Sequence, residues 1–282
     1  MSVDSTPGVF HSRRRRKIEG RGIVSQPDQQ ISGLLPVPGQ CRSLGGTFSL
    51  SSRWLRPRYI NEHSDRVRQS LARLAQADMP AVASDESPGA VIDIDIARVS
   101  PRYPGLDEDE SYRLTITASA IRIQATTEIG GLRAIATLAQ LLHESLRVPA
   151  LEIADAPRLR WRGLLLDPAR HFLPLTALLR TLDGMAACKL NVLHLHLSDD
   201  QGFRLPSATF EKLPSEQHYS VEDLHTLVNY AADRGIRVVP ELDMPGHVNC
   251  WLTAYPEWGS GSASSTDRFG VHYACLDPTS EA

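Results

Sequence analysis

The chain has 282 residues, 41% hydrophobic and 22% charged, the balance of a globular protein that buries a core in one large domain or two ordinary ones. Its 33 acidic against 30 basic side chains leave a formal charge of -3, so no overall field favours nucleic acid or an anionic membrane. No apolar window is long enough to span a bilayer, and Cys41, Cys188, Cys250 and Cys275 lack the spacing of a disulfide framework or a metal site.

Residues 1–30 are rich in Ser, Gly, Gln and Arg without periodicity, which predicts a disordered tail. Within it the run Arg13 to Lys17 is followed by Ile18, Glu19 and Gly20 rather than an apolar core. It therefore reads as a solvated tail and not as a secretion signal, and the compartment is left open. From Ile31 the pattern changes. Val91 to Val99 alternates Ile92, Ile94 and Ile96 with Asp93 and Asp95, the signature of a strand with one wet face. Tyr112 to Thr117 and Ala120 to Ala125 repeat that alternation around a short turn at Ala118 and Ser119. The period then lengthens: Leu132, Ile135, Leu138, Ala139 and Leu142 recur at spacings of three and four, predicting a helix laid on the sheet. Residues 31–155 thus form an α+β accessory domain, in which the acidic cluster Asp107 to Glu110 is expected to be a solvated loop.

From residue 156 to 282 strand and helix alternate, which implies parallel strands with helical crossovers. Arg162 to Asp167 is the first strand and Thr176 to Cys188 the first helix. Lys189 to Arg204, KLNVLHLHLSDDQGFR, carries the second strand, with Val192, His194 and His196 on one face and Leu193, Leu195 and Leu197 on the other, so both faces are expected to be buried. A second helix begins at Ser220 with Asp223 in the capping-box position and stops by Gly235; Ile236 to Leu242 is the third strand. Polar turns follow all three strands: Asp167 to His171, Ser198 to Gln201, and Asp243 to His247. Functional groups at the C-terminal ends of successive parallel strands are how a (β/α)8 TIM barrel builds its site, and no glycine-rich phosphate loop supports the alternative of a doubly wound sheet. The expected architecture is an accessory domain followed by strands 1 to 3 of an incomplete barrel.

The segments LLLDPARHFLP, KLNVLHLHLSDDQGFR and RVVPELDMPGH, in this order, resemble glycoside hydrolase family 20, the β-N-acetylhexosaminidases. PVPG at Pro36 and TLAQLL at Thr137 to Leu142 are similar to the α+β domain that precedes the barrel in that family. The resemblance implies retaining, substrate-assisted hydrolysis of glycans ending in N-acetylglucosamine or N-acetylgalactosamine, without a cofactor. In that scheme the sugar's own acetamido oxygen is the nucleophile, an Asp orients it and the adjacent Glu is the general acid. That Asp-Glu pair belongs to the fourth barrel strand in the family and is expected beyond the end of this sequence, so the chain alone is expected to be inactive. The resemblance also implies that Arg170 holds sugar hydroxyls and that Asp199 and His247 support the catalytic carboxylates. Glu241 matches the motif too, with a purely structural role left open.

Two further features compete with that reading. The H-x-H spacing of His194 and His196 puts two imidazoles on one strand face, as metal-dependent TIM-barrel hydrolases do, although that motif belongs on a first strand and here stands on a second. Trp251 and Trp258 are candidates to stack on a sugar or to pack in the core. The alternatives to a hydrolase are a non-catalytic sugar-binding or interaction fragment, or one half of a split enzyme completed by a downstream polypeptide.

Overall fold

A computed structural model describes residues 33–50, 54–61, 64–76, 81–82, 90–143, 145–259 and 262–280. The expected disordered tail over residues 1–30 lies outside these. The first unit runs β1 (Gln40–Ser49), β2 (Trp54–Tyr59), α1 (Asp65–Gln76), β3 (Ala81–Val82), β4 (Ala90–Arg98), β5 (Tyr112–Ile116), β6 (Ile121–Thr127), α2 (Glu128–His143) and β7 (Arg147–Asp155). Its strands form one mixed sheet in the order β1-β7-β5-β6-β4-β2-β3.

The alternation in β4 does what it announces. Ile92, Ile94 and Ile96 are fully buried against Val67, Leu71 and Leu74 of α1 and Ile135, Leu138 and Leu142 of α2. Close approach of α2 to the sheet depends on Gly131, where a Cβ would meet Ile96 Cδ1 at 2.8 Å. The helix starts at Glu128, ahead of the periodic run that opens at Leu132, because Glu128 enters the core and accepts from Ser64 Oγ at 2.5 Å, Arg66 Nη1 at 2.9 Å and Ser100 N at 3.1 Å. The short turn holds as expected, closed by Thr117 N donating to Ala120 O at 2.9 Å.

The second unit runs β8 (Gly163–Leu166), α3 (Leu175–Ala187), β9 (Val192–Asp199), β10 (Gly202–Phe203), α4 (Val221–Ala232), β11 (Arg237–Leu242) and α5 (Asn249–Ala254). Strands β8 and β11 both pair in parallel with β9, which lies between them, and β10 folds back antiparallel on its end. This is a portion of a TIM barrel. The leucines of β9 pack on Leu178 and Leu182 of α3 and Leu227 and Ala231 of α4. The capping box at Ser220 forms: Ser220 Oγ accepts from Asp223 N at 3.0 Å while Asp223 Oδ2 accepts from Ser220 N at 2.9 Å. After α4 the chain turns at Gly235, whose φ of 67° no β-branched side chain would accept, and enters β11. Among the described residues no helix is long and apolar enough to cross a membrane.

The acidic cluster corrects one expectation. Asp107 is exposed, but Glu110 is only 8% exposed and sits between the two units, accepting from Arg133 Nε at 2.6 Å, Arg162 Nη2 at 2.5 Å and Asn191 Nδ2 at 3.1 Å. Burial pushes its carboxyl up, yet the charges of Arg133 and Arg162 hold it below the usual range. Arg133 extends the seam by donating to Gly235 O at 2.9 Å, and Gln140 Nε2 donates to Ala187 O at 2.8 Å. The cluster is therefore half solvated loop and half interdomain ion pair, because its last member faces three donors supplied by residues distant in sequence.

Candidate active site

The three parallel strands deliver their polar turns to one place. After β8, the chain turns so that Asp167 Oδ1 accepts from Arg170 N at 3.0 Å, while Asp167 Oδ2 pairs with Arg170 Nη1 at 2.5 Å. Buried Arg204 braces this turn from below, donating to Pro168 O at 2.8 Å and Ala169 O at 2.7 Å. The other guanidinium nitrogen of Arg170 reaches Asp199 Oδ2 at 2.7 Å. Its side chain remains 32% exposed, so this paired cation faces outward from the strand ends. Partial burial pulls its pKa down, but Asp167 and then Asp199 more than offset that and raise it.

Asp199 is the hub. A β-bulge places it there: β9 and β11 stay in register up to Glu241 opposite His196, but Leu242 then faces Ser198, so β9 carries one extra residue. Under strict alternation Asp199 would share the leucine face. With the extra residue it shares the face of His196, whose Nε2 lies 2.8 Å from Asp199 Oδ2. The other oxygen accepts from Asp200 N at 2.6 Å and meets His247 Nδ1 at 3.2 Å. His247 has a φ of 59°, an uncommon conformation for a residue with a Cβ, and also stands 3.3 Å from Asp200 Oδ2. Asp199 and Asp200 are each 1% exposed; these donors compensate Asp199, whereas Asp200 accepts from Asn249 N at 3.1 Å on Oδ1 and leaves Oδ2 without a hydrogen bond.

Across the strands, Glu241 takes His196 Nδ1 at 3.0 Å on one oxygen and His194 Nε2 on the other. Burial pushes its carboxyl up, but the hydrogen bond and charge of His196, with His194 behind them, hold it below the usual range. The structure thus brings together Arg170, Asp199, His247 and Glu241. Trp251 lies apart from them: its Nε1 donates to Ser198 Oγ at 2.6 Å, it is 9% exposed, and Phe203 meets it edge to face at 5.5 Å. Trp258 stacks on Tyr255 at 4.2 Å. Both indoles are engaged in packing. Sequence reasoning placed Asp167 and Asp200 in the polar turns without giving either a role, missed Arg204 and weighed His196 only for or against metal; the signal that could have assigned them was the density of paired charges in the three polar turns.

Two groups could hold a cation, His196 with Glu241 and Asp243, and Asp199 with Asp200 and His247. His196 has both ring nitrogens against Asp199 and Glu241, and Asp199 is held by Arg170, so a cation would have to displace that guanidinium or the ring protons, although Asp200 Oδ2 and Glu241 Oε2 accept no hydrogen bond. Purified protein is expected to carry no stoichiometric zinc by elemental analysis and to melt at the same temperature with and without chelator. Close to one equivalent of bound metal would restore the metal-dependent alternative.

The model of the catalytic domain of glycosyl hydrolase family 20 matches residues 159–281, and the model of domain 2 of that family matches residues 32–156. Beta-hexosaminidase subunit beta of Felis catus is 42% identical over 159 residues, which is 53% of this chain and 30% of that protein. Beta-hexosaminidase of Vibrio furnissii is 33% identical over 281 residues, 90% of this chain and 43% of that protein. The crystal structure of the Flavobacterium johnsoniae chitobiase superposes with a TM-score of 0.79 at 34% identity, covering 87% of this chain and 40% of that one. The chain spans less than half the length of each of these three.

Proposed function

Because the chain belongs to glycosyl hydrolase family 20 and is a glycoside hydrolase related to the β-hexosaminidases, we propose that it serves the hydrolysis of terminal N-acetylglucosamine or N-acetylgalactosamine residues by a retaining, substrate-assisted mechanism. The observation that carries the proposal is the convergence of Arg170, Asp199 and His247 at the ends of three parallel strands. Arg170 offers sugar hydroxyls a planar fork of donors whose orientation Asp167 and Asp199 maintain. Asp199 and His247 form a hydrogen-bonded pair able to hold a neighbouring catalytic carboxylate in position and tune its proton affinity.

The scheme also needs an Asp that orients the acetamido group and a Glu that protonates the leaving oxygen. Three of the strand-end carboxylates are engaged otherwise: Asp167 and Asp199 hold Arg170, and Glu241 holds the two histidines. Arg170, Asp199, His247 and Glu241 therefore bind and support, and the Asp-Glu pair is the part of the scheme that these four do not supply.

Binding of the free sugar tests the central assignment. Saturation-transfer NMR with N-acetylglucosamine is expected to detect contact with the unsubstituted chain, and Arg170→Ala to weaken it by about tenfold or more, the scale of a lost charge-assisted pair of hydrogen bonds. Unchanged binding by Arg170→Ala would remove this guanidinium from the sugar site.

A further inference from the structure

His196 lies between two carboxylates: Nε2 is 2.8 Å from Asp199 Oδ2 and Nδ1 is 3.0 Å from Glu241 Oε1. An ionised carboxylate oxygen only accepts hydrogen bonds, whereas a neutral imidazole has one donor nitrogen and one acceptor. A neutral ring would therefore set a lone pair against one of the two carboxylates. The imidazolium alone donates to both.

We infer that His196 is a positioning residue held as a cation between two carboxylates, where it aims Asp199 at Arg170 and His247, and that Glu241 is its counter-charge rather than a sugar ligand. The positioning role rests on the proposed part of Asp199 in hexosamine hydrolysis; the charge of the ring does not. Groups facing it come from all three strand ends: Asp167 and Arg170 after β8, His194 and Asp199 on β9, and Glu241 and Asp243 at the end of β11. Asp200 and His247 stand one contact further on, beyond Asp199. Carboxylates outnumber cations in this set. The ring is only 5% exposed, which opposes charging, but the hydrogen bond to Asp199 and the fields of Asp167 and Glu241 raise its pKa above the ordinary 6.5.

The geometry also explains why a cation suits this position. Asp199 Oδ2 is shared between His196 and Arg170, while Oδ1 is shared between Asp200 N and His247. Without the His196 donor, Oδ2 would be held by Arg170 alone, whose side chain is 32% exposed. His196, locked on its other side by Glu241 and rooted in the central strand, fixes the carboxylate plane from below.

The charge can be read directly. Two-bond 1H–15N correlation spectra of the 15N-histidine-labelled chain, with the ring assigned by through-bond correlation from its own backbone, distinguish imidazolium from either neutral tautomer. Of the ten histidines, His196 is expected to keep the imidazolium pattern at pH 7. Glu241→Gln is expected to lower the His196 midpoint by about one pH unit or more, the usual effect of losing an adjacent opposite charge. His196→Gln is expected to shift the ring signals of His247, which share Asp199, whereas a merely structural histidine would leave them in place. A neutral tautomer pattern for His196 at pH 7, or a midpoint indifferent to Glu241→Gln, overturns the inference. A cationic His196 in a chain that binds no hexosamine would sink the sugar-site assignment and leave the charge assignment standing; a neutral ring in a chain that binds N-acetylglucosamine would do the reverse.

Discussion

Assayed alone with a chromogenic N-acetyl-β-glucosaminide, the 282-residue polypeptide is expected to give no turnover above the uncatalysed rate. Arg170 can hold hydroxyls and Asp199 with His247 can shape the local field, but neither task protonates a leaving oxygen or steers an acetamido group. General acid assistance contributes roughly 10²- to 10⁴-fold, and the orienting Asp is needed in addition. Glu241 is a poor substitute, since the neighbouring histidines stabilise its ionised form and leave it without a proton to donate at neutral pH. Three acids of the first unit's acidic cluster are equally unsuited: Glu110 is enclosed by Arg133, Arg162 and Asn191, Glu108 is bonded to Ser100, and Asp107 pairs with Arg160. Asp85 and Glu86 lie outside the described residues. Mixing in a downstream polypeptide that carries an Asp-Glu strand is expected to restore hydrolysis. Turnover by the chain alone, abolished by Glu241→Gln or Asp199→Asn, would show that the catalytic acid belongs to this sequence after all.

Glu110→Ala is expected to destabilise the protein by about 3–5 kcal/mol, the cost of removing one partner from a buried ion pair. The substitution leaves Arg133, 2% exposed, and Arg162, 12% exposed, charged and without their shared acceptor, and it frees the Asn191 amide as well. These groups join the helix of the accessory sheet to the first two barrel strands, so the two units are expected to lose cooperativity together. Denaturant unfolding monitored by tryptophan fluorescence and by circular dichroism measures both quantities. Glu110→Gln keeps the shape and part of the hydrogen bonding and is expected to fall between the two. Asp107→Ala, at an exposed pair, is expected to change little, because solvent screens that contact. Equal, small effects at positions 107 and 110 would mean that the seam does not depend on this carboxylate.

The residues that misled sequence reasoning did so for one physical reason. Glu110 looks like the end of a solvated acidic run, since its neighbours in sequence are Asp107, Glu108 and Asp109; its neighbours in space are Arg133, Arg162 and Asn191, which no local pattern announces. The H-x-H pair likewise announces nothing of its partner: Glu241, 45 residues beyond His196, lies against both rings. Helix α1 shows the opposite case: Val67, Leu71 and Leu74 stand at helical spacing and could have been read as a buried face.

What the amino-acid sequence by itself determined is everything set by local periodicity and local hydrogen bonding. The alternating isoleucines of β4, the two largely buried faces of β9 and the capping box at Ser220 all depend on residues within a turn or two of one another, and all form as expected. So do the three polar turns at parallel strand ends, which carry Arg170, Asp199 and His247 and with them the family. Only the tertiary structure decided how those turns meet. The extra residue in β9 opposite Glu241 and Leu242 rotates Asp199 from the leucine face to the histidine face, and a change of register by one residue is a property of two strands paired at long range. The ion pairs of Glu110, Asp199 and Glu241 follow the same rule: a charge can be buried only where distant segments bring it compensating donors, and that is settled when the sheets and helices close on one another.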